Sequence, residues 1–297
     1  MSRRAVIALD VGGTTIDAAC VTHAGQRIGG LLESGSPAAG TRDEIVGALV
    51  RAVEGARRQA GGLDVSACGI AMPGPFDYAA GISRMTHKFQ AIRGVALGDV
   101  LRDRTGLPVY FVNDADAFGL GVSWRQLPDS KRFVALTIGT GLGSSFIEDG
   151  DCAAADGRIP PGGEVWNLPF GDGVLEDRVS ARAVVAAYAG SAPGRQVTGP
   201  LTAKAVADLA WGGDQAALAA YRGLGAAMGR GLAPALARFA PEEMVVGGKV
   251  GLSLSLFQPA VEEALTAAGL RDLPVIAAAP GNLALWGAAR YPLSLAS

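Results

Sequence analysis

Two glycine-punctuated segments, "LDVGGTTIDAA" at 9–19 and "LTIGTGLGSSF" at 136–146, each continue an apolar run. Glycines let backbone N–H groups close on an anion while hydroxyls donate from the side, so Gly12, Gly13, Thr14 and Thr15 suit phosphate oxygens. Thr140 and Gly141 offer the same chemistry in the second segment. Asp10 would repel bare phosphate, and makes sense chiefly as a holder of magnesium through its waters. The D-x-G-G-T pattern also reads as a tight hairpin turn, a reading the second segment weakens by repeating the chemistry. Between the two lies Asn113-Asp114, at the end of the run "VYFV". Asp114 has two readings: a cap on the following helix, or a base that takes the proton of an alcohol attacking a transferred phosphoryl group. Asp116 reads as a solvated helix-start carboxylate.

A charge-poor stretch, "DGRIPPGGEVWNLPFGDG" at 156–173, is too long and irregular for a spacer and reads as a binding loop. Glu164 and Asn167 within it, and Glu176 just beyond, suit a sugar, because carboxylates and amides hold adjacent hydroxyls in a fixed pattern. Glu164 reads equally as a surface charge and Glu176 as a first-turn helix residue. Trp166 can stack on a sugar face or fill a domain seam. In "VVGGKVG", Gly247 and Gly248 permit a flat base or ribose against backbone, or form a plain strand-to-helix turn, and Lys249 reaches either phosphate or solvent. His87, on a loop before a helix, is a candidate for the sugar cleft, while His23 reads as surface. No G-x-x-x-x-G-K-[ST] occurs, and "GTGLG" precedes a strand where a dinucleotide fingerprint needs a helix.

The elements that must position these residues follow from periodicity. "RAVIALDVG", "TIDAACVT" and "RIGGLLES" read as successive antiparallel strands. "TRDEIVGALVRAVEGARRQA" has helical spacing, with Thr41 as cap and Glu44 as its capping-box partner. "VSACGIAMPG" and "LPVYFVND" read as buried strands, with the helix "VALGDVLRDRTG" before the second. "RFVALTIGTGLGSSFIEDG" repeats the opening hairpin, which suggests one duplicated phosphate-binding unit per domain. Helices should dominate from Leu175 to Ala240, followed by the strand "EMVVGG", the helix "PAVEEALTAAG" and the strand "LPVIAAA". The last helix, "NLALWGAARY", is expected to return to the first domain. This alternation is that of an α/β protein.

Composition sets the outer bounds. The 297 residues are 49% hydrophobic and 18% charged, which favours a well-buried enzyme with room for two domains. A net charge of -2 gives no footprint for nucleic acid or an anionic membrane. Arg3 and Arg4 run straight into a short strand, with no secretion pattern or membrane span, and three scattered cysteines read as packing residues. A cytoplasmic location is expected.

In their order along the chain, "LDVGGTTIDAA", "PVYFVNDADAFGLG", "LTIGTGLGSSF" and "MVVGGKVG" resemble the ROK family of sugar kinases and sugar-responsive repressors, over essentially the whole chain. The resemblance implies an α/β, two-domain actin-like ATPase (ribonuclease H-like) fold with a central nucleotide and sugar cleft that closes on the sugar. The small domain is expected at 1–113 plus 281–297 and the larger at 114–280. By resemblance, Asp114 is the catalytic base, Asn113 a sugar ligand beside it, and Glu164 and Glu176 hold sugar hydroxyls. Gly12 to Thr14 and Thr140-Gly141 would handle phosphates, with Gly247-Gly248 near the adenosine. ATP and Mg2+ are the implied cofactors, a glucose-like hexose the acceptor and a homodimer the assembly.

Two departures stand out. Asn167 replaces the family's sugar-binding histidine, and the cysteine-rich zinc loop is missing, so no structural zinc is expected and the loop should be held by glycine, proline and packing. An amide cannot carry positive charge to a sugar hydroxyl, which puts substrate identity in play. The rival reading is a sugar sensor. Regulatory members carry a DNA-binding segment before the first strand, whereas this chain starts that strand a few residues after Met1 and keeps the base. An amino sugar or polyol as acceptor, or polyphosphate as donor, are the remaining alternatives.

Overall fold

The computed structural model describes residues 4–191 and 199–295. In the first part of the chain β1 (Arg4–Val11), β2 (Thr15–Thr22) and β3 (Arg27–Gly35) form an antiparallel meander, and α1 (Arg42–Arg58) follows. Next come β4 (Asp64–Met72), α2 (Leu97–Thr105), β5 (Val109–Asn113) and α3 (Asp114–Arg125). The second part runs β6 (Arg132–Ile138), β7 (Leu142–Glu148), β8 (Asp151–Cys152), α4 (Ala181–Ser191), α5 (Ala203–Trp211) and α6 (Gln215–Phe239). It continues with β9 (Glu243–Gly247), the short α7 (Gly248–Gly251), α8 (Gln258–Ala267) and β10 (Val275–Ala277), and α9 (Leu283–Ser294) ends the chain. The helical reading of 175–240 holds for α4, α5 and α6, while 192–198 lie outside the described residues.

Two units emerge, 1–128 with 280–297, and 129–279. The sheet of the first has the order β3-β2-β1-β4-β5, with β4 and β5 parallel to β1. Along β1, Ala5, Ile7, Leu9 and Val11 face a core shared with α1, while Val6 and Ala8, equally buried, point to the other face. A sheet of parallel strands needs cover on both faces. α1 covers one and α9, packed on β1 and β4, the other. Thr41 and Glu44 close the expected capping box at the start of α1. The sheet of the second unit, β8-β7-β6-β9-β10, repeats the plan: an antiparallel hairpin, β6 with β7, then β9 and β10 parallel to β6.

The structure puts the divide after 128, not at the expected 113, because α3 packs on α9 inside the first unit. The reason is two glycines. A Cβ on Gly121 would strike the Leu283 carbonyl and one on Gly287 the Ala117 carbonyl, so the helix backbones touch. Trp124 and Trp286 add an edge-to-face pair at 6.1 Å between centroids, with the Arg125 guanidinium 4.4 Å from the Trp286 ring. No helix among the described residues is long and apolar enough to cross a membrane.

Candidate active site

In the first unit, the β1–β2 hairpin and the start of α9 create an acidic focus. Asp10 on β1 faces Asp17 on β2 in the strand register. Asn282 caps α9 by accepting the Leu285 N–H at 3.0 Å, and its Nδ2 donates to Asp10 Oδ2 at 2.9 Å and to Asp17 Oδ2 at 2.7 Å. Burial is the main cause that pushes the Asp10 carboxyl up to about 6; the Asn282 hydrogen bond opposes it, and the charges of Asp114 and Asp17 add to it. Asp17 Oδ1 is buried with no hydrogen-bond partner. An orphaned carboxylate oxygen beside a carboxyl that resists ionisation fits a hard cation. Among the described residues no three His, Cys, Asp or Glu side chains gather into a metal cage. Magnesium at Asp10 and Asp17 would therefore keep most of its shell as water and phosphate oxygen. The hairpin reading holds at the β1–β2 turn. Gly12 N–H closes the turn on Thr15 O at 2.9 Å, and Gly13, Thr14 and Thr15 at its tip stay exposed.

The same unit holds Asn113-Asp114, and the helix cap falls one residue before Asp114. Asn113 is the cap of α3: its Oδ1 accepts from Ala115 N–H at 2.8 Å and Asp116 N–H at 3.3 Å. Its Nδ2 donates to Tyr78 Oη at 2.9 Å, and Tyr78 in turn donates to the Met72 carbonyl at 3.1 Å. Two N–H donors converging on Oδ1 fix which way the amide points, so Asn113 offers a donor no spare oxygen but gives an acceptor one remaining N–H. Asp114 is the first residue of α3, where the positive helix end favours its charge, and its Oδ1 shares the Ala115 N–H with Asn113 at 3.0 Å. Its carboxylate reaches solvent but is crowded on its other sides, and that burial raises its pKa; Lys88 and the Ala115 N–H pull it back down. His87 is exposed, and it is its neighbour Lys88 that acts on Asp114.

In the second unit the turn after β6 and the turn after β9 are adjacent. Gly248, at φ +78, lies against the backbone of Ile138 with no room for a Cβ, and this brings Gly247-Gly248 beside the loop Gly139-Thr140-Gly141. Gly139 N–H closes that loop on Gly141 O at 2.9 Å, leaving Thr140 exposed. Lys249 is exposed on α7. Glu176 sits in a single 3₁₀ turn, Leu175–Asp177, and its Oε2 accepts the Leu142 N–H at 2.9 Å. Glu164 and Asn167 are exposed, and Trp166, itself 40% exposed, donates its Nε1–H to Glu164 Oε2 at 3.0 Å.

The long loop is fixed by more than glycine, proline and packing. Buried Ser144 on β7 donates to Gly163 O at 2.6 Å and accepts Val165 N–H at 3.1 Å. Arg158 grips Glu148 through two hydrogen bonds, at 2.8 and 2.6 Å, and Asp156 at 2.7 Å. Of the residues the sequence did not single out, Asn282 had a signal, an asparagine directly before a helical run. Tyr78, Lys88 and Ser144 had none, since their partners lie tens of residues away in sequence.

The model of the ROK family matches residues 6–163. The glucokinase of Thermotoga maritima is 30% identical over 270 residues, which cover 84% of this chain and 83% of that protein. The N-acetylmannosamine kinase of Citrobacter koseri is 28% identical over 255 residues, 83% of this chain and 84% of that one. The solved structure of a ROK family glucokinase from Streptomyces griseus, in complex with glucose and AMPPNP, superposes with a TM-score of 0.72 at 29% identity, covering 97% of this chain and 98% of that one.

Proposed function

The chain belongs to the ROK family and is an ATP-dependent phosphotransferase of it; we propose that it phosphorylates a hexose hydroxyl, with glucose-like sugars first among the acceptors. Asp114 is the proposed general base. The observation that carries this role is a carboxylate at the first position of α3, one place past the Asn113 cap and raised in pKa by burial, in the same unit as the Asp10–Asp17 pair. A base of raised pKa takes a proton more readily, and Lys88 helps to keep it ionised.

In the proposed reaction Asp114 accepts the hydroxyl proton as the sugar oxygen bonds to the γ-phosphorus, and the bond to the departing ADP oxygen breaks. No covalent enzyme intermediate is formed. Magnesium, when bound, neutralises phosphate charge. The exposed tips Gly13-Thr14 and Thr140-Gly141 donate to phosphate oxygens, Gly247-Gly248 flank the adenosine, and Lys249 reaches toward phosphate. Asn113 gives its remaining N–H to a sugar oxygen, and Glu164 and Asn167 are the proposed sugar ligands of the second unit. The partner is a second copy of the chain, to be read as a two-chain mass in sedimentation.

An amino sugar is the second reading. The similarity to an N-acetylmannosamine kinase over four-fifths of both chains favours it, as does an amide at 167 that can meet an N-acetyl group. The deciding experiment measures ADP release from Mg-ATP across hexoses and amino sugars, with Asp114→Asn beside the wild type. The variant should lose about 10²–10⁴-fold in kcat while sugar affinity stays within a few-fold. Equal loss of binding and turnover would sink the base assignment.

A further inference from the structure

One residue joins the second phosphate loop to the long loop that carries Glu164, Trp166 and Asn167. Glu176 Oε2 accepts the Leu142 N–H at 2.9 Å, directly after Gly139-Thr140-Gly141. It also presses on Gly141, where an added Cβ would meet it. Oε1 accepts from Arg182 at 2.8 Å. The backbone of the same residue faces the other way: Glu176 N–H donates to Trp166 O at 3.0 Å, and the neighbouring Leu175 N–H donates to Leu168 O at 2.9 Å. Ser180 Oγ–H closes the turn on the Glu176 carbonyl at 2.9 Å.

We infer that Glu176 is a positioning residue for the second phosphate loop, holding the donors of Thr140 and Gly141 toward a nucleotide phosphate, with Arg182 fixing its carboxylate. This rests on the kinase reading, and it stands beside the sugar-ligand role that resemblance implies for Glu176, since each carboxylate oxygen has a second lone pair. Leu142 is buried, so removing the carboxylate would strand its N–H without a partner. A negative charge against Gly141 would also repel a phosphate, and Arg182 offsets that charge at contact distance.

The contacts make a prediction that needs no sugar. Titration of the full chain with the magnesium complex of a non-hydrolysable ATP analogue should show Glu176→Ala binding at least about tenfold more weakly than wild type. Glu176→Gln keeps an acceptor oxygen for Leu142 and should stay within about threefold. Should the alanine variant not fold, Glu176→Asp, one methylene too short to reach Leu142, takes its place with a several-fold loss. Wild-type affinity in the alanine or aspartate variant overturns the inference, as does an equal loss in the glutamine variant. A wild-type chain that takes up no nucleotide overturns the kinase reading and this inference with it.

Discussion

Asp114 serves as a base only while it is ionised, and its surroundings pull in both directions. Burial raises its pKa and Lys88 lowers it, while Asp10, pushed up to about 6, shares its field. The rate should therefore rise with pH as Asp114 loses its proton, giving the acidic limb of the kcat/KM profile. Lys88→Met removes a cation that favours the carboxylate, so less of the base is ionised at a given pH and the limb must move to higher pH. A pH–rate series on both proteins checks this, and a limb that stays put or moves down would remove Lys88 from the account. The sequence led to Asp10, Asn113 and Asp114 because each lies at or just past the end of a strand in a recognisable pattern. It did not lead to Lys88 or Tyr78, because a loop residue whose meaning lies in a partner 26 or 35 positions away has no local signature.

At the scale of elements, the strands and helices were readable wherever periodicity was strong. The meander of β1 to β3, the capped α1 and the repeat of the hairpin in β6 and β7 all stand where apolar spacing and turn residues put them. What periodicity could not convey is how closely two helices approach. The glycines of α3 and α9 look like ordinary breaks in helix propensity, yet Gly121 and Gly287 are where the two backbones meet. Gly287→Ala should destabilise the protein by about 1–3 kcal/mol or more, since the methyl group meets a carbonyl on a rigid neighbour. Gly223→Ala is the contrast. Gly223 lies in α6, a Cβ there meets nothing within 4 Å, and the change should stabilise by up to about 1 kcal/mol. Urea unfolding of both variants separates the cases, and matching signs would refute the close-packing argument.

At the scale of the whole molecule, the units do not follow one another along the chain. The second unit is continuous over 129–279, with its own core from β6 to β10 and helices α4 to α8. The first unit is interrupted: 1–128 supplies the sheet and 280–297 returns with α9. Without α9 the face of β1 and β4 that carries Val6 and Ala8 loses its cover, and so does Gly69, whose missing Cβ admits the Ala288 carbonyl. Leu283, Leu285, Ala288 and Ala289 would be lost from that packing together. Acidic groups would lose a partner as well, because Asn282 reaches Asp10 and Asp17 from the same segment. A fragment of 129–279 should therefore unfold cooperatively on its own. Residues 1–128 should not, until 280–297 is joined back to them through a flexible linker. Circular dichroism melts of the three fragments read this directly. A sharp, cooperative melt of 1–128 alone would mean that α9 decorates the first unit rather than completing it, and the bridging of the two aspartates by Asn282 would then be incidental to its fold.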